Sequence, residues 1–491
     1  MPRYRLKDVL AGTLGELRGD VPSTTAFTRL QRDARIVGRG ELYLAIRGER
    51  FDGNTFCADA ADRGAAAAIV DRRWADAQKT LPLPAIVVDD TIEALQRWAR
   101  WRRDRLDTRV VGVTGSIGKT SAKESIAAVL SQTHTVYRSP GSYNNEIGLP
   151  LSLLEADDDV DVMVLEMGGA YAFGELTVLA GIAQPDVGVV TNVHPVHLER
   201  MGTIEAIAET KTELPASLPA DGIAILNGDD ARVRAMASRT RARVLFYGLN
   251  ENNHVRADSV TTQGLKGTSF WLTIDGDRNF VRVPFVGAHG VQVALVALAV
   301  GHSFGMHIAE MLTGLQDPGV QVRLMFVQGP NGSQLIDDTY NASTPSVLSA
   351  LGLLGDVPAR RRIAVLGDMR ELGRISEDEH RIVGRRAGDM VDVLVTYGES
   401  ARLIAEEARA VMRKGRPVTV HSFGETEKAQ LVNLLRQTLA NGDIVLFKGS
   451  RGLAMETIVE DLRFEGARAA GDADKNPGRS NPQNEPDAVG A

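Results

Sequence analysis

Residues 110–120 read V-V-G-V-T-G-S-I-G-K-T: an apolar run breaks at a glycine turn ending in Gly118-Lys119-Thr120, and a helix-like stretch follows. Strand, glycine turn and helix in that order make a cradle for nucleotide phosphates. Glycines let backbone N–H groups face a polyphosphate, the helix N-terminus adds partial positive charge, Lys119 reaches the outer phosphates and the Thr120 hydroxyl reaches magnesium. The common phosphate loop has a glycine five positions before Gly118, where this chain has Val113. The loop is therefore a shorter variant, G-S-I-G-K-T, and Gly115, Ser116, Gly118, Lys119, Thr120 and Ser121 are its candidate nucleotide contacts. No Asn-Lys-x-Asp segment that would read guanine occurs in the chain, which points to ATP.

Outward from the loop, V-D-V-M-V-L-E-M (160–167) and P-D-V-G-V-V-T-N (185–192) alternate with helical stretches. That alternation predicts a mostly parallel, doubly wound sheet with ligand groups gathered where strands end. Upstream, E-L-Y-L-A-I, A-A-A-A-I-V and P-A-I-V-V-D form short strands of a small α/β domain that closes with the Trp/Arg-rich helix around Trp98–Arg105. A β-rich patch from about Val255 to Val286 precedes an Ala/Val/Leu helix, Val291 to Phe304, and a break falls near Asp317-Pro318-Gly319. Beyond it, R-I-A-V-L-G-D-M, V-D-V-L-V-T-Y-G and D-I-V-L-F-K-G-S-R-G each run from a buried strand into a glycine turn. The expected fold class is α/β with three domains: a small N-terminal α/β domain over 1–107, a central phosphate-loop ATPase domain over 108–317 and a Rossmann-like domain over 318–465. Residues 466–491 have almost no large apolar side chains and are expected to be a disordered tail.

With 491 residues, 43% of them hydrophobic, the chain can bury several cores. A net charge of -7 leaves no basic surplus for nucleic acid. Cys57 is the only cysteine, which excludes an intrachain disulfide and a multi-cysteine metal site. No apolar run reaches the length of a membrane span, and the expectation is a cytoplasmic monomer.

Several polar residues stand where strands end. Glu166 closes V-M-V-L-E, either as a magnesium ligand, since magnesium takes hard oxygen donors, or as a cap on the next helix. His197, in T-N-V-H-P-V-H-L-E-R-M-G, follows another strand and reads as a ligand or as a hydrogen-bonded structural group; His194 reads as structural. Lys211, in I-A-E-T-K-T-E-L, would by itself be a solvated face residue. Asp338-Thr339-Tyr340-Asn341 follows a strand and reads as a site or as an Asx-capped turn. Lys448-Gly449-Ser450-Arg451 is a cationic glycine loop suited to an anionic group.

Taken together, G-E-R-F-D-G (48–53), V-T-G-S-I-G-K-T-S-A-K-E (113–124), N-N-E-I-G-L-P-L (144–151), H-L-E-R-M-G (197–202), D-D-T-Y-N-A (337–342), V-L-G-D-M-R-E-L-G (365–373) and K-G-S-R-G (448–452) make the chain resemble the Mur ligases of peptidoglycan synthesis. The resemblance implies an N-terminal domain for a UDP-sugar, a central ATPase and a C-terminal domain that closes over ATP. It implies that Lys119 and Thr120 hold phosphates and magnesium, that Glu166, His197 and Lys211 serve the metal, and that Lys211 is carbamylated by carbon dioxide. Lys119, Lys211 and His197 are then the catalytic candidates. Asn144, Asn145, His289, Arg323, Asp338 and Tyr340 fall at nucleotide-side positions, and Asp33, Arg35, Arg50, Lys448, Ser450 and Arg451 at substrate positions. The last two motifs favour the family branch that joins D-alanyl-D-alanine to UDP-N-acetylmuramoyl-tripeptide through an acyl phosphate. Other readings are a different amide ligase, of Mur or folylpolyglutamate type, and an inactive nucleotide-binding homologue. The chain departs from the family at His289-Gly290-Val291-Gln292-Val293, where His-Asn-x-x-Asn is usual, and at Ala34, Asn54 and Ser343.

Overall fold

Four near-continuous apolar runs, Arg109–Thr114, Val162–Glu166, Val187–Val190 and Ile223–Asn227, form strands whose side chains are almost all buried. Strands without polar alternation suit a parallel sheet covered on both faces by helices. The computed structural model describes residues 4–48, 51–169, 172–196, 198–262, 267–285, 287–317, 325–413 and 416–463. Among these residues the four strands sit inside a nine-stranded sheet, parallel from Val136–Arg138 at one edge across to Val255–Thr262. Two antiparallel strands, Thr268–Ile274 and Asp277–Val283, then extend the same sheet. The β-rich patch expected near 255–286 is thus an extension of the central sheet, and the helix after it spans Gly287–Ser303.

The strand Arg109–Thr114 lies between Val162–Glu166 and Val187–Val190, with helices Lys119–Leu130, Gly287–Ser303 and Ile308–Leu315 on one face. The other face meets helices Thr91–Arg103, Gly148–Glu155 and Glu175–Ala183. A five-stranded N-terminal sheet, parallel apart from its edge strand Glu16–Arg18, shares that second core: Tyr4, Leu95 and Trp98 pack in one cluster with Val110, Leu153 and Met163. The Tyr4 hydroxyl also donates to the Leu154 carbonyl at 2.9 Å. Accordingly Met1–Val322, with Arg370–Ser376, makes one compact unit, and Arg323–Met369 with Glu377–Ala491 makes a second.

The second unit holds a six-stranded sheet, parallel except for its edge strand Met325–Gln328. The 317/318 boundary and the tail at 466–491 fall at or within stretches outside the described residues. Cys57 is buried and free, and burial pushes its thiol up to about 12. Among the described residues no helix is long and apolar enough to cross a membrane.

Candidate active site

The phosphate loop is shaped by backbone that only glycine adopts easily. Gly115 has φ +142, and a Cβ there would lie 2.0 Å from Thr191 Oγ1; Gly118, with φ +80, caps the helix Lys119–Leu130. The neighbouring strand end holds the loop. Ser116 N–H donates to the Asn192 carbonyl at 2.9 Å, Ile117 N–H to Asn192 Oδ1 at 2.9 Å, and Thr191 Oγ1 to the Ile117 carbonyl at 2.8 Å. Two loop amides are therefore committed to holding its shape, which leaves the first turn of the helix, with its partial positive charge, as the anion-facing end. Lys119 folds back across the loop, its Nζ donating to the carbonyls of Gly115 (2.8 Å) and Ser116 (3.3 Å). Ser121 is buried in the same helical turn.

Thr120 and Glu166 meet next to the loop: Thr120 Oγ1 donates to Glu166 Oε2 at 2.6 Å and Asn144 Nδ2 to Glu166 Oε1 at 2.8 Å. Glu166 is 2% exposed, and its own N–H donates to Ser139 Oγ at 3.1 Å. A buried carboxylate beside a threonine hydroxyl is a set of hard oxygen donors, the kind magnesium takes. Among the described residues no three His, Cys, Asp or Glu side chains converge on one point; the site is built instead from one carboxylate, hydroxyl and amide groups, and lysine.

Lys211 is fully buried, its Nζ donating to the carbonyls of Gly168 (2.8 Å) and Gly169 (2.5 Å), the residues that follow the Glu166 strand. Burial drives its ammonium well below the ordinary lysine range; Lys119 lowers it further, and Glu175 and Glu213 oppose the shift. The solvated-face reading of Lys211 is thus corrected: the helix Ile204–Ser217 turns this residue inward. Asn145 lies just before the helix Gly148–Glu155, its Oδ1 accepting from Gly148 N–H at 2.8 Å.

A cavity of about 460 Å³ opens beside the loop, walled by Ile117 and Gly118, by His194 and Asp229 on strand-end loops, and by Gln292 and Val293 on the helix Gly287–Ser303. Gln292 stands among the residues where the asparagines are missing, and its Nε2 donates to Asp229 Oδ2 at 2.8 Å. Asp229 also accepts from Leu249 N–H, Asn250 N–H and Asn253 Nδ2. Burial lowers the His194 imidazole pKa against the opposing charge of Asp230. His194, Asp229 and Gln292 belong to no motif; only the fold brings them together, and the one sequence signal was their place after apolar strands or in the departing segment.

The remaining candidates lie in two places. In the N-terminal sheet region, Asp33 accepts from Arg35 Nη2 at 2.7 Å and from Arg35 N–H at 3.0 Å, and these bonds hold its carboxyl at about 2. In the second unit, Asp338, Tyr340, Lys448, Ser450 and Arg451 gather where parallel strands end. Lys448 is buried and donates to Asp338 Oδ2 (2.7 Å) and the Asn341 carbonyl (2.9 Å), the Arg451 guanidinium lies 5.3 Å from the Tyr340 ring centre, and Ser450 N–H donates to the Asp368 carbonyl. His197, Arg50, Arg323 and the side chain of His289 lie outside the described residues.

Residues 27–103 match the family profile "Mur ligase family, catalytic domain", 113–301 match "Mur ligase middle domain" and 322–451 match "Mur ligase, glutamate ligase domain". The chain is 36% identical to the UDP-N-acetylmuramoyl-tripeptide--D-alanyl-D-alanine ligase of Bacillus subtilis (strain 168), over 94% of this chain and 99% of that protein. Among solved structures it is similar to MurF from Acinetobacter baumannii, with TM-score 0.83 and 29% identity over 94% of this chain and 99% of that one. It is also similar to MurF ligase from Thermotoga maritima in complex with ADP, with TM-score 0.74 and 28% identity over 88% and 96%.

Proposed function

The chain belongs to the Mur ligase family, and on that premise we propose that it is the ATP-dependent, ADP-forming ligase that joins D-alanyl-D-alanine to UDP-N-acetylmuramoyl-tripeptide in peptidoglycan precursor synthesis. The observation that carries the reading is the Thr120–Glu166 pair, 2.6 Å apart at the first turn of the phosphate-loop helix, in a chain that matches a ligase of that name over 94% of its length. That extensive match favours this reading over a folylpolyglutamate-type ligase or an inactive homologue.

In the first step a tripeptide carboxylate oxygen attacks the γ-phosphorus, the bond from that phosphorus to the β–γ bridging oxygen breaks, and ADP leaves with the electron pair. In the second, the dipeptide amine attacks the acyl carbonyl, phosphate departs and the nitrogen loses a proton. Negative charge accumulates on oxygen in both steps. Lys119, lying across the loop, and the helix N-terminus meet that charge with preorganised donors. Thr120 and Glu166 would hold magnesium, and His197 and Lys211 would complete the set. When bound, the ion neutralises phosphate charge and polarises the transferring phosphoryl group. Lys211 is suited to carbamylation: burial lowers its pKa and so favours the free amine that attacks carbon dioxide, the nitrogen then loses a proton, and the product is an oxygen-bearing anion.

The cavity beside the loop takes the nucleoside of ATP. Its apolar side, with Val293 and Val296, covers the purine, and Gln292 and His194 supply the polar edge. Asp33 and Arg35 serve the UDP-sugar, and Asp338, Tyr340, Ser450 and Arg451 serve the nucleotide and the incoming dipeptide, with Lys448 holding the Asp338–Asn341 turn. The enzyme acts as a cytoplasmic monomer of three domains, 1–107, 108–317 and 318–465.

Phosphate release in the presence of ATP and magnesium tests the reading. Release is expected only when UDP-N-acetylmuramoyl-tripeptide and D-alanyl-D-alanine are added together; release with glutamate as acceptor, or none with the pair, overturns it.

A further inference from the structure

Lys123 lies one turn beyond Lys119 on the phosphate-loop helix and has no part in the steps above, yet its side chain is completely buried. A lysine ammonium carries three N–H donors, and three acceptors surround this one: the carbonyls of Ser139 at 2.6 Å and Gly141 at 2.7 Å, and Glu124 Oε1 at 3.0 Å. The other Glu124 oxygen faces Arg138 at 2.7 Å. Burying a cation is costly unless it is fully met by partners, and a leucine or methionine would fill the same space without that cost. What Lys123 gains over an apolar residue is a grip on the backbone of Ser139 and Gly141.

That backbone leads directly to Glu166. Ser139 Oγ accepts the Glu166 N–H, Asn144 Nδ2 donates to Glu166 Oε1, and the Asn144 carbonyl accepts Gly168 N–H at 2.7 Å. The segment 139–144 therefore holds Glu166 at its backbone N–H and at its carboxylate, and Lys123 pins the start of that segment to the helix that carries Thr120. We propose that Lys123 is a positioning residue that sets the affinity for the divalent cation by fixing Glu166 against Thr120. This rests on the reading that the Thr120–Glu166 pair holds the cation.

The test is a Mn2+ titration of the full chain with ADP present, free Mn2+ being followed by electron paramagnetic resonance, alongside metal-free ADP binding and a thermal melt. Lys123→Met is expected to weaken Mn2+ binding about tenfold, the scale typical of residues that orient a metal ligand, while metal-free ADP binding changes less than about twofold. Lys123→Arg, which keeps a charged donor, should recover part of the loss. Ser139→Ala leaves the buried ammonium in place and should still weaken Mn2+; it carries the test if Lys123→Met does not fold. Parental Mn2+ affinity in these variants, or an equal loss of metal-free ADP binding, overturns the proposal. Glu166→Gln separates the two layers. If it binds Mn2+ as the parent does, the cation site itself is wrongly placed; if it loses Mn2+ while Lys123→Met does not, only the role of Lys123 falls.

Discussion

Lys211 shows how far one residue's meaning depends on what surrounds it. In sequence it is a lysine in a polar helical stretch, indistinguishable from a solvated one; in the structure burial drives its pKa well below the ordinary lysine range. The sign follows from linkage: the unfolded chain binds a proton that the folded chain does not, so between the depressed native pKa and about 10.4 the contribution of Lys211 to stability grows as pH rises. A lysine buried against two backbone carbonyls points to chemistry. Lys211→Ala is expected to lower ligation by about 100-fold or more, on the scale of removing one transition-state charge stabiliser, and added formate or acetate should restore part of it. Unchanged turnover in the variant would falsify the carbamate reading. Gly115, Lys119 and Thr120 were legible as candidates because the loop's chemistry is tied to local spacing, and Glu166 because it ends an apolar strand. His194, Asp229 and Gln292 were not, because each comes from a different strand end or helix and only the sheet order makes them neighbours.

At the scale of elements, the strands of the second unit divide their labour between their two ends. Arg361 opens one strand and Asp443 the strand beside it, in register, and the guanidinium grips the carboxylate through Nε at 3.0 Å and Nη2 at 2.5 Å. Burial alone would raise the Asp443 pKa, but the Arg361 bonds and the Ala440 N–H outweigh it and the carboxyl titrates below its ordinary value. A depressed carboxylate stabilises the fold above its unfolded pKa and gives that stability up as pH falls through the native value, so this unit should weaken below about pH 4. Asp443→Asn is expected to cost about 1–3 kcal/mol at neutral pH, reduced from a fully buried pair because Arg361 is one-third exposed. It should also flatten the acid limb of the stability profile; denaturant melts between pH 3 and 7 read both, and a profile matching the parent refutes the assignment. The opposite ends of the same strands carry Lys448 and Gly367, where an open α/β sheet collects its ligand groups. Apolar runs made these strands readable from sequence, whereas the Arg361–Asp443 pairing depends on register, which no local pattern encodes.

The whole molecule is two compact units, each with its own core. Calorimetry should therefore resolve two transitions, and ADP with magnesium should raise chiefly that of the first unit, where the phosphate loop and the cavity beside it lie, by an amount that grows with ligand concentration. One transition that moves as a block would refute this. Sequence alternation showed three α/β regions, and the described residues form three major sheets. It did not show that residues 1–107 and 108–317 share a hydrophobic cluster, because a core common to two sheets leaves no mark at the junction. The chain does cross from helix to strand near residue 107, but Leu95 and Trp98 on one side of that point pack with Val110 and Met163 on the other. For an engineer building chimeras, position 107 is thus a poor splice point: a swapped N-terminal module brings half of a jigsaw cut for a different partner, and the interior must be redesigned along with the binding loops.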